Sequence, residues 1–296
     1  MNILMTGATG YIGKKLINEL KNNNHFVTIL IRKSSSESEI IEKVDETIII
    51  ENYDSIENQI KGRIYDVYIN LCGYYIGNHN NKDISKLFDA NAILPTYVTD
   101  AFIKNGGKYI MHTSSYYQCY NNEQFSPVNL YAATKQAYED VLEYYTKQYD
   151  VCAYVLQLFD TYGADDTRNK VFNLVRRLNK TEELDMSKGE QKMYFCYIDD
   201  VVSAYIKALD LIVKEKINAK KKYSIRGKEA IELRTFVNMY MDTIGYYKKI
   251  NWGKRPYMER EILNPSNYGE VLPGWKPRVS YKEGIRLCAE YDLKNE

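Results

Sequence analysis

A tyrosine and a lysine four residues apart are the side chains of this sequence best suited to acid–base chemistry. Tyr131 and Lys135 begin a segment whose apolar spacing predicts a helix from Tyr131 to Tyr149. Positions i and i+4 share one helix face, and a nearby ammonium lowers the pKa of a phenol by stabilising the phenolate. Such a phenol can exchange a proton with a carbonyl or alcohol oxygen. Because the chain contains 29 tyrosines, a chance surface pair is the alternative.

Three hydroxyl side chains follow a predicted strand upstream of this helix. Thr113, Ser114 and Ser115 come directly after the apolar run Tyr109 to His112. Parallel sheets bind ligands at the carboxyl ends of their strands, so a hydroxyl there could hydrogen-bond a substrate oxygen. A serine that caps a turn is the alternative for at least one of the three.

The N-terminal segment has the spacing of a dinucleotide-binding loop. Glycines at positions 1, 4 and 7 of the motif follow the apolar strand Asn2 to Met5 and open the helix Tyr11 to Lys21. They permit a tight turn, close approach of the backbone to a pyrophosphate, and close packing of the helix on the strand. The helix N-terminus then binds the phosphates. The predicted contacts are Gly7, Thr9, Gly10, Tyr11, Ile12 and Gly13.

The end of the second predicted strand, Phe26 to Ile31, indicates which dinucleotide binds. An acidic residue there binds the ribose 2′-hydroxyl of NAD, whereas an arginine accommodates a 2′-phosphate. Arg32, Lys33 and Ser34 follow the strand directly. We therefore predict NADP(H) rather than NAD(H), with a solvated basic turn as the alternative.

The elements that position these residues alternate between strand and helix through the first half of the chain. This alternation predicts an α/β fold with a parallel, doubly wound sheet. After Gly163 the pattern becomes polar and irregular. We predict a dinucleotide-binding domain over residues 1–165 and a smaller substrate-binding region over 166–296, with a helix over 197–213 packing back on the first domain. The other predicted strands are Thr47 to Ile50, Val67 to Cys72 and Val151 to Leu158, and the other predicted helices are Ser55 to Ile60 and Ile84 to Lys104.

The composition argues against several functional classes. Forty basic and 39 acidic residues leave a net charge of +1, which disfavours nucleic acid or an acidic membrane as a partner. The apolar runs are strand-sized, and the N-terminus lacks the pattern of a secretory signal. Five dispersed cysteines argue against a disulfide framework or a metal site. We therefore expect a cytoplasmic protein without a structural metal.

These motifs together resemble the extended short-chain dehydrogenase/reductase family, which includes nucleotide-sugar epimerases, dehydratases and reductases. The resemblance covers nearly the whole chain and rests on Thr6–Gly13, Tyr131–Lys135, Phe159–Gly163, Tyr197–Val201 and Gly274–Pro277. Asn129–Ala137 and Gly189–Gln191 look closest to the branch that contains the CDP-paratose and CDP-abequose synthases. Those enzymes reduce the 4-keto group of a CDP-linked deoxyhexose for bacterial surface glycans, such as O-antigen or capsule.

The resemblance implies a role for each candidate residue. Tyr131 would be the proton donor, Lys135 would lower its pKa and hold the nicotinamide ribose, and Ser115 would bind the keto oxygen. Further implied cofactor contacts are Asp54, Leu71, Cys72, Gly73 and Asn91. Implied substrate contacts are Ser114, Ser115, Asp160, Arg168, Phe172, Asn173 and Arg255. The family's dimers imply a homodimer through the helices Ile84 to Lys104 and Tyr131 to Tyr149.

The sequence favours one activity and leaves others open. We expect an NADPH-dependent 4-ketoreductase acting on a nucleotide-linked deoxy sugar, with a 4-epimerase that retains NAD as the alternative. Dehydration is disfavoured because Tyr116 and Tyr117, rather than the acidic pair of the dehydratases, follow Ser115. His112 and Cys119 are interpreted as packed residues rather than a proton-abstracting pair. A non-catalytic dinucleotide sensor is disfavoured because both the tyrosine and the lysine are present.

Overall fold

The computed structural model describes residues 1–35, 38–179, 181–265 and 269–295. Within these ranges the strands are β1 (Asn2–Thr6), β2 (Phe26–Arg32), β3 (Glu46–Ile50), β4 (Val67–Asn70), β5 (Tyr109–Ser115), β6 (Cys152–Leu158), β7 (Asp160–Tyr162), β8 (Glu183–Met186), β9 (Lys192–Met193), β10 (Phe195–Tyr197), β11 (Ala219–Ile225), β12 (Ile231–Glu232), β13 (Lys249–Trp252) and β14 (Glu270–Val271). The helices are α1 (Tyr11–Asn22), α2 (Ile56–Ile60), α3 (Asn81–Phe88), α4 (Leu94–Lys104), α5 (Leu130–Gln148), α6 (Val171–Arg177), α7 (Ile198–Ile212), α8 (Leu233–Ile244) and α9 (Tyr281–Asn295).

A single parallel sheet of eight strands forms the centre of the molecule. Its order is β14-β11-β6-β5-β4-β1-β2-β3, and the stretch from β6 to β3 has the strand order of a dinucleotide-binding fold. Every residue of β6 is buried, as expected for a strand covered by helices on both faces. The predicted α/β class with a doubly wound parallel sheet is confirmed.

Helices cover both faces of the sheet. On one face α1 packs against α7, the helix predicted over 197–213, and on the other face α4 packs against α2 and α5. The apolar clusters between these helices and the sheet hold the carboxyl ends of the strands in register. Strands β11 and β14, from the region 166–296, continue the sheet formed by β1 to β6. The proposed division into two parts stays a prediction.

Several predicted boundaries differ from the observed ones, each for a local reason. Strand β5 runs on to Ser115, because the hydroxyl residues continue its ladder with β6. Strand β4 ends at Asn70, whose side-chain oxygen accepts a 3.0 Å hydrogen bond from the N–H of Cys72 and turns the chain away. The helix predicted from Ile84 begins three residues earlier, where Asn80 caps α3. A π-helical turn, Asp89–Ile93, then joins α3 to α4.

Short strand pairs and two helices build the remainder of the molecule. Strand β7 follows β6 directly and pairs with β10, while β8 pairs with β13 and β9 with β12. Helices α8 and α9 pack together. This arrangement places residues 160–173 beside the carboxyl edge of the sheet, where the candidate site lies. Among the described residues, no helix is both long and apolar enough to cross a membrane.

Candidate active site

Two adjoining cavities lie along the carboxyl edge of the sheet. The larger cavity, of about 560 Å³, is lined by the ends of β5 and β6, the first turns of α5 and residues 168–173. The smaller cavity, of about 350 Å³, extends towards the end of β2. Gly7, Gly10 and residues 71–73 line both cavities, so together they form one cleft over the glycine loop.

The loop between β1 and α1 leaves no space for side chains at two of its glycines. Gly7 has a φ of +76°, and a Cβ there would lie 2.5 Å from the carbonyl carbon of Leu71. A Cβ at Gly13 would collide with the carbonyl oxygens of Gly7 and Ala8. Gly10 caps α1 without a side chain, and the first helical turn contains no acid. This loop therefore fits the pyrophosphate of a nicotinamide dinucleotide.

Basic and hydroxyl side chains line the outer part of the smaller cavity. Arg32, Ser35 and Lys86 contribute to this wall. Of the described residues that line the cavity, Asp89 is the one acid, and it accepts a 2.5 Å hydrogen bond from the hydroxyl of Tyr53. The wall therefore presents mainly cationic and hydroxyl groups to a ligand.

Tyr131 and Ser115 both line the larger cavity, and the Ser115 side chain acts to lower the pKa of the Tyr131 phenol. The ring of Tyr75 packs edge-on against it, with 5.0 Å between the ring centroids. Burial raises the pKa of Tyr131 to about 12, although the Ser115 side chain and the charge of Arg168 oppose the rise. The phenol therefore keeps its proton at neutral pH and can donate it to an oxygen in the cavity.

Two local caps hold Ser115 and Tyr131 in place. The hydroxyl of Ser115 accepts a 3.3 Å hydrogen bond from the N–H of Tyr117, while its own N–H donates to the side-chain oxygen of Gln118 at 3.1 Å. Helix α5 begins at Leu130 because the Asn129 side chain accepts a 3.0 Å hydrogen bond from the N–H three residues later. Ser115 and Tyr131 therefore each lie in or next to the first turn of a capped helical segment, which fixes their positions.

The other two hydroxyls of the predicted cluster have partners elsewhere. Thr113 pairs its hydroxyl with that of Tyr205 at 2.5 Å. Ser114 is buried, and its hydroxyl donates to the carboxylate of Glu139. Ser115 is therefore the member of the cluster best placed to bind a substrate oxygen beside Tyr131.

Lys135 is buried in the wall of the larger cavity and connects the loop after β4 with the end of β5. Its Nζ donates to the carbonyl oxygens of Cys72 at 2.6 Å and Thr113 at 3.1 Å. An ammonium has three donors, which leaves one N–H for a ligand. Burial lowers the pKa of Lys135 to about 8, while the charge of Glu139 opposes this change. The predicted effect of Lys135 on the pKa of Tyr131 stays a prediction.

The π-helical turn positions a fully buried asparagine behind the cleft. Asn91 accepts a 2.9 Å hydrogen bond from the N–H of Tyr74 and donates to the Tyr74 carbonyl at 3.1 Å. Its amide also donates to the hydroxyl of Thr134 at 3.0 Å. Asn91 lines neither cavity, and it braces the loop after β4 against α5.

Charged side chains line the larger cavity beyond β6. Asp160 accepts a 2.7 Å hydrogen bond from the hydroxyl of Tyr116, and burial raises the pKa of this carboxyl, although the charges of Lys170 and Arg168 oppose the rise. Burial lowers the pKa of Lys170 to about 8, and its Nζ donates to the carbonyl of Thr161 at 3.2 Å. An acceptor and a donor of opposite charge therefore share this wall.

Arg168 is fixed by several partners in the same wall. Its guanidinium donates to both carboxylate oxygens of Asp166, at 2.8 and 2.7 Å, and lies 4.6 Å from the centre of the Tyr11 ring. The Asn173 side chain donates to the carbonyl of Arg168 at 3.1 Å. Phe172 packs beside them as part of the apolar core. Residues 168–173 are thereby joined to the glycine loop.

Most residues predicted for the site line one or both cavities. Those on the lining are Gly7, Thr9, Gly10, Tyr11, Ile12, Gly13, Arg32, Leu71, Cys72, Gly73, Ser114, Ser115, Tyr131, Lys135, Asp160, Arg168, Phe172 and Asn173. Besides Asn91, four predicted residues lie outside it. Lys33 and Ser34 belong to a 3₁₀ turn after β2, and Asp54 belongs to a second such turn. Arg255 follows β13, where its N–H donates to the Met186 carbonyl of β8 at 3.1 Å.

His112 and Cys119 are packed residues at a distance from the lining. A ring nitrogen of His112 lies 3.1 Å from the amide nitrogen of Asn70, and burial lowers the pKa of this imidazole well below its usual value. The thiol of Cys119 accepts a hydrogen bond from Gln157 at 3.6 Å. Neither residue lines a cavity, which agrees with their interpretation as core side chains.

Several lining residues escaped the sequence-based prediction. Tyr75 and Lys86 lie on segments without a local motif, and they reach the cleft through the crossover after β4. Lys170 is two residues after Arg168, and the family resemblance implied no role for Lys170. Tyr116 was noted only as a departure from the dehydratases, although its hydroxyl holds Asp160.

The comparison with protein families identifies the relationship of this chain. The model of the NAD dependent epimerase/dehydratase family matches residues 3–224. The chain belongs to this family. Its resemblance to the extended short-chain dehydrogenases/reductases is therefore confirmed.

Individual relatives and structures agree with this assignment. A CDP-abequose synthase of Salmonella muenchen is 28% identical over 291 residues, covering 96% of this chain and 95% of that protein. A putative UDP-glucose 4-epimerase of Methanocaldococcus jannaschii is 23% identical, covering 99% of this chain and 98% of that protein. The crystal structure of a Bacillus cereus UDP-glucuronic acid 4-epimerase, in complex with UDP-glucuronic acid and NAD, covers both chains fully with a TM-score of 0.84 and 20% identity. The structural similarity supports the same fold.

Proposed function

We propose that this protein reduces the 4-keto group of a nucleotide-linked deoxy sugar with NADPH. The observation that carries the proposal is that Tyr131 and Ser115 line one cavity together with the glycine loop. A dinucleotide held over the glycine loop would supply the hydride that the carbonyl carbon accepts. Tyr131 gives its proton to the carbonyl oxygen, and Ser115 orients that oxygen through a hydrogen bond.

The protonation state of Tyr131 favours reduction over oxidation as the first step. A phenol with a pKa of about 12 carries its proton at neutral pH, as a proton donor must. An epimerase begins by removing a hydroxyl proton from its substrate, which requires a phenolate. The arrangement therefore supports a reductase.

NADPH is the dinucleotide that best suits the smaller cavity. Arg32, Ser35 and Lys86 line its wall, and the carboxylate of Asp89 is bonded to Tyr53. A 2′-phosphate would gain charge-assisted hydrogen bonds from these cations and the hydroxyl. The ribose of NAD lacks that phosphate and would leave the cations without this partner.

The nucleotide sugar is proposed to be CDP-linked. Support comes from the CDP-abequose synthase of Salmonella muenchen, which is similar over nearly the full length of both chains. Arg168 and Lys170, on the wall of the larger cavity, are suited to a diphosphate. The product would be a deoxy sugar nucleotide for a surface glycan such as O-antigen or capsule.

A sugar-nucleotide 4-epimerase with tightly bound NAD is the second candidate. It is favoured by the similarity to the putative UDP-glucose 4-epimerase of Methanocaldococcus jannaschii. The same tyrosine would then act on an alcohol, and the hydride would return to the sugar within one catalytic cycle.

A panel of substrates separates the two candidates. Consumption of NADPH and of NADH is followed with CDP-, dTDP-, GDP- and UDP-linked 4-keto sugars. The proposal predicts oxidation of NADPH with the CDP-linked form. Consumption of neither cofactor, together with NAD released from the denatured protein, would favour the epimerase instead.

A homodimer is proposed as the assembled form. Apolar side chains are partly exposed along α3, the π-helical turn and α4, and Tyr144 and Tyr149 are exposed on and just after α5. The exposed members of the first group are Ile84, Phe88, Ile93 and Tyr97. Contact between two copies through these helices would remove that apolar surface from water.

A further inference from the structure

A charged network lies behind Ser115, and its central residue, Glu139, is outside the lining of both cavities. Glu139 of α5 is 3% exposed, and its carboxylate accepts hydrogen bonds from the Gln118 amide at 2.7 Å and from the Ser114 hydroxyl. Lys222 of β11 donates to both carboxylate oxygens, at 3.0 and 3.1 Å. These bonds join β5, α5 and β11 directly beneath the strand end that carries Ser115.

The network reaches the residues proposed to be catalytic by two routes. Gln118, held by Glu139, accepts the N–H of Ser115 at 3.1 Å, and Ser115 in turn acts on the pKa of Tyr131. Glu139 also follows Lys135 by one helical turn, and its negative charge raises the pKa of that ammonium against the effect of burial. The Glu139 carboxylate therefore affects both the position of Ser115 and the pKa of Lys135.

We infer that Glu139, paired with Lys222, is a positioning residue for the group formed by Ser115, Tyr131 and Lys135. The inference rests on the proposed function insofar as those three residues perform the reaction. Glu139 itself touches neither cavity and acts through Gln118 and through its charge.

Holding the fold together is a poor explanation for this buried pair. A buried ion pair is costly to desolvate, and apolar side chains of similar volume often stabilise a protein as well or better. The contact between α5 and β11 also has a second ion pair one turn further along, Lys220 with Glu143 at 2.6 Å. The pair of Lys220 and Glu143 is more exposed than that of Lys222 and Glu139. Lys220 also donates to the backbone carbonyl of Glu139, but it does not bind the Glu139 carboxylate. The pair of Lys220 and Glu143 therefore provides a matched control.

Charged and titratable groups from neighbouring elements face this network. Burial keeps the His112 imidazole neutral by lowering its pKa, and keeps the Cys72 thiol protonated by raising its pKa. The groups that face the network are Cys72 after β4, His112 of β5, and Lys220 and Lys222 of β11. Glu139 is therefore the negative charge that acts on Lys135 from its own helix.

Kinetic comparison of four variants tests the inference. Glu139→Gln and Glu139→Gln/Lys222→Met are compared with the controls Glu143→Gln and Glu143→Gln/Lys220→Met, using the 4-keto sugar nucleotide that the wild-type enzyme reduces. A small displacement of a reacting group lowers rates strongly, so we expect kcat to fall about 10-fold or more in both Glu139 variants. The KM for NADPH should stay within about twofold, and the controls should keep the wild-type kcat.

The double variant separates positioning from loss of folding stability. Glu139→Gln alone leaves the partly buried Lys222 without a charged partner, whereas the double variant removes both charges. We expect the double variant to regain thermal stability and to keep the low kcat. Recovery of kcat in parallel with stability would overturn the inference.

Titration of Lys135 gives a readout that needs no sugar substrate. NMR of protein labelled at the lysine ε-carbons, with the Lys135 signal assigned through Lys135→Met, reports the pKa of this side chain. In Glu139→Gln we expect this pKa to fall, and in Glu143→Gln to stay unchanged. An unchanged Lys135 pKa in Glu139→Gln would contradict the inference. If the wild-type protein reduces none of the sugars, the proposed function fails, whereas this titration still decides the effect of Glu139.

Discussion

Replacing Tyr131 by phenylalanine removes a single oxygen from the centre of the proposed site. That oxygen lies in the cavity that Ser115 also lines, and it is the proposed proton donor. A positioned acid contributes about 10²- to 10⁴-fold to the rate of such reactions, so we expect kcat for NADPH oxidation to fall about 10³-fold. The affinity for NADPH, measured by fluorescence titration, should stay within about twofold because the glycine loop, Arg32 and Lys135 are unchanged.

The same substitution should have only a small effect on stability. Tyr131→Phe removes at most one hydrogen bond, so the loss of stability should not exceed about 1 kcal/mol. For a chain of 296 residues this corresponds to a decrease of about 2 °C in Tm. Tyr138→Phe is a matched control on the same helix, since its buried hydroxyl lies 2.6 Å from that of Thr99 and outside both cavities. We expect a similar decrease in Tm with an unchanged kcat.

Two results would refute this reasoning. Unchanged turnover in Tyr131→Phe would show that another group protonates the oxygen. Equal losses of kcat in Tyr131→Phe and Tyr138→Phe would show that the activity follows stability, and that the position of the phenol in the cavity is irrelevant.

Three more predictions concern the cofactor, the pH profile and the assembly. Arg32→Ala should raise the KM for NADPH about 10-fold and leave that for NADH within about twofold, whereas Lys33→Ala should change neither in steady-state kinetics. Lys135, with a pKa of about 8, is an ammonium below that pH and loses its charge above it. The kcat/KM for NADPH should therefore decline above about pH 8, and a constant value up to about pH 10 would contradict this role. Ile93→Glu should convert the proposed dimer to a monomer in light scattering, and Ile64→Glu, at a position with 77% exposure, should leave it intact.

Strands β1 to β6 of the sheet could be predicted from the sequence, whereas β11, which extends the sheet beyond β6, could not. Strands β1 to β6 are apolar runs between helices, so their residues identify them directly. Strand β11 contains Lys220, Lys221 and Lys222, which resemble a solvated surface segment. Ion pairs with Glu143, Glu215 and Glu139 allow these lysines to lie in a strand with neighbours on both sides. Such partners are mostly distant in sequence and become apparent only in the fold.

The candidate site shows the same division between local motifs and tertiary contacts. The glycine loop and the spacing of Tyr131 and Lys135 are local, and both identify residues that line the cleft. Lys86 and Lys170 reach the cleft only because the fold brings their segments there. Glu139 lies one turn beyond Lys135, and nothing in its spacing reveals that Lys222 and Gln118 bind it.

Transfer of deuterium from the cofactor to the sugar tests the central claim most directly. NADPH deuterated at the transferring position of the nicotinamide is incubated with the CDP-linked 4-keto deoxy sugar, and the product is examined by NMR. The account predicts a 4-hydroxyl sugar nucleotide with one deuterium on C4, formed in equal amount to the NADP⁺ released. Interconversion of 4-hydroxyl epimers without deuterium on the sugar, by protein that contains bound NAD, would contradict it.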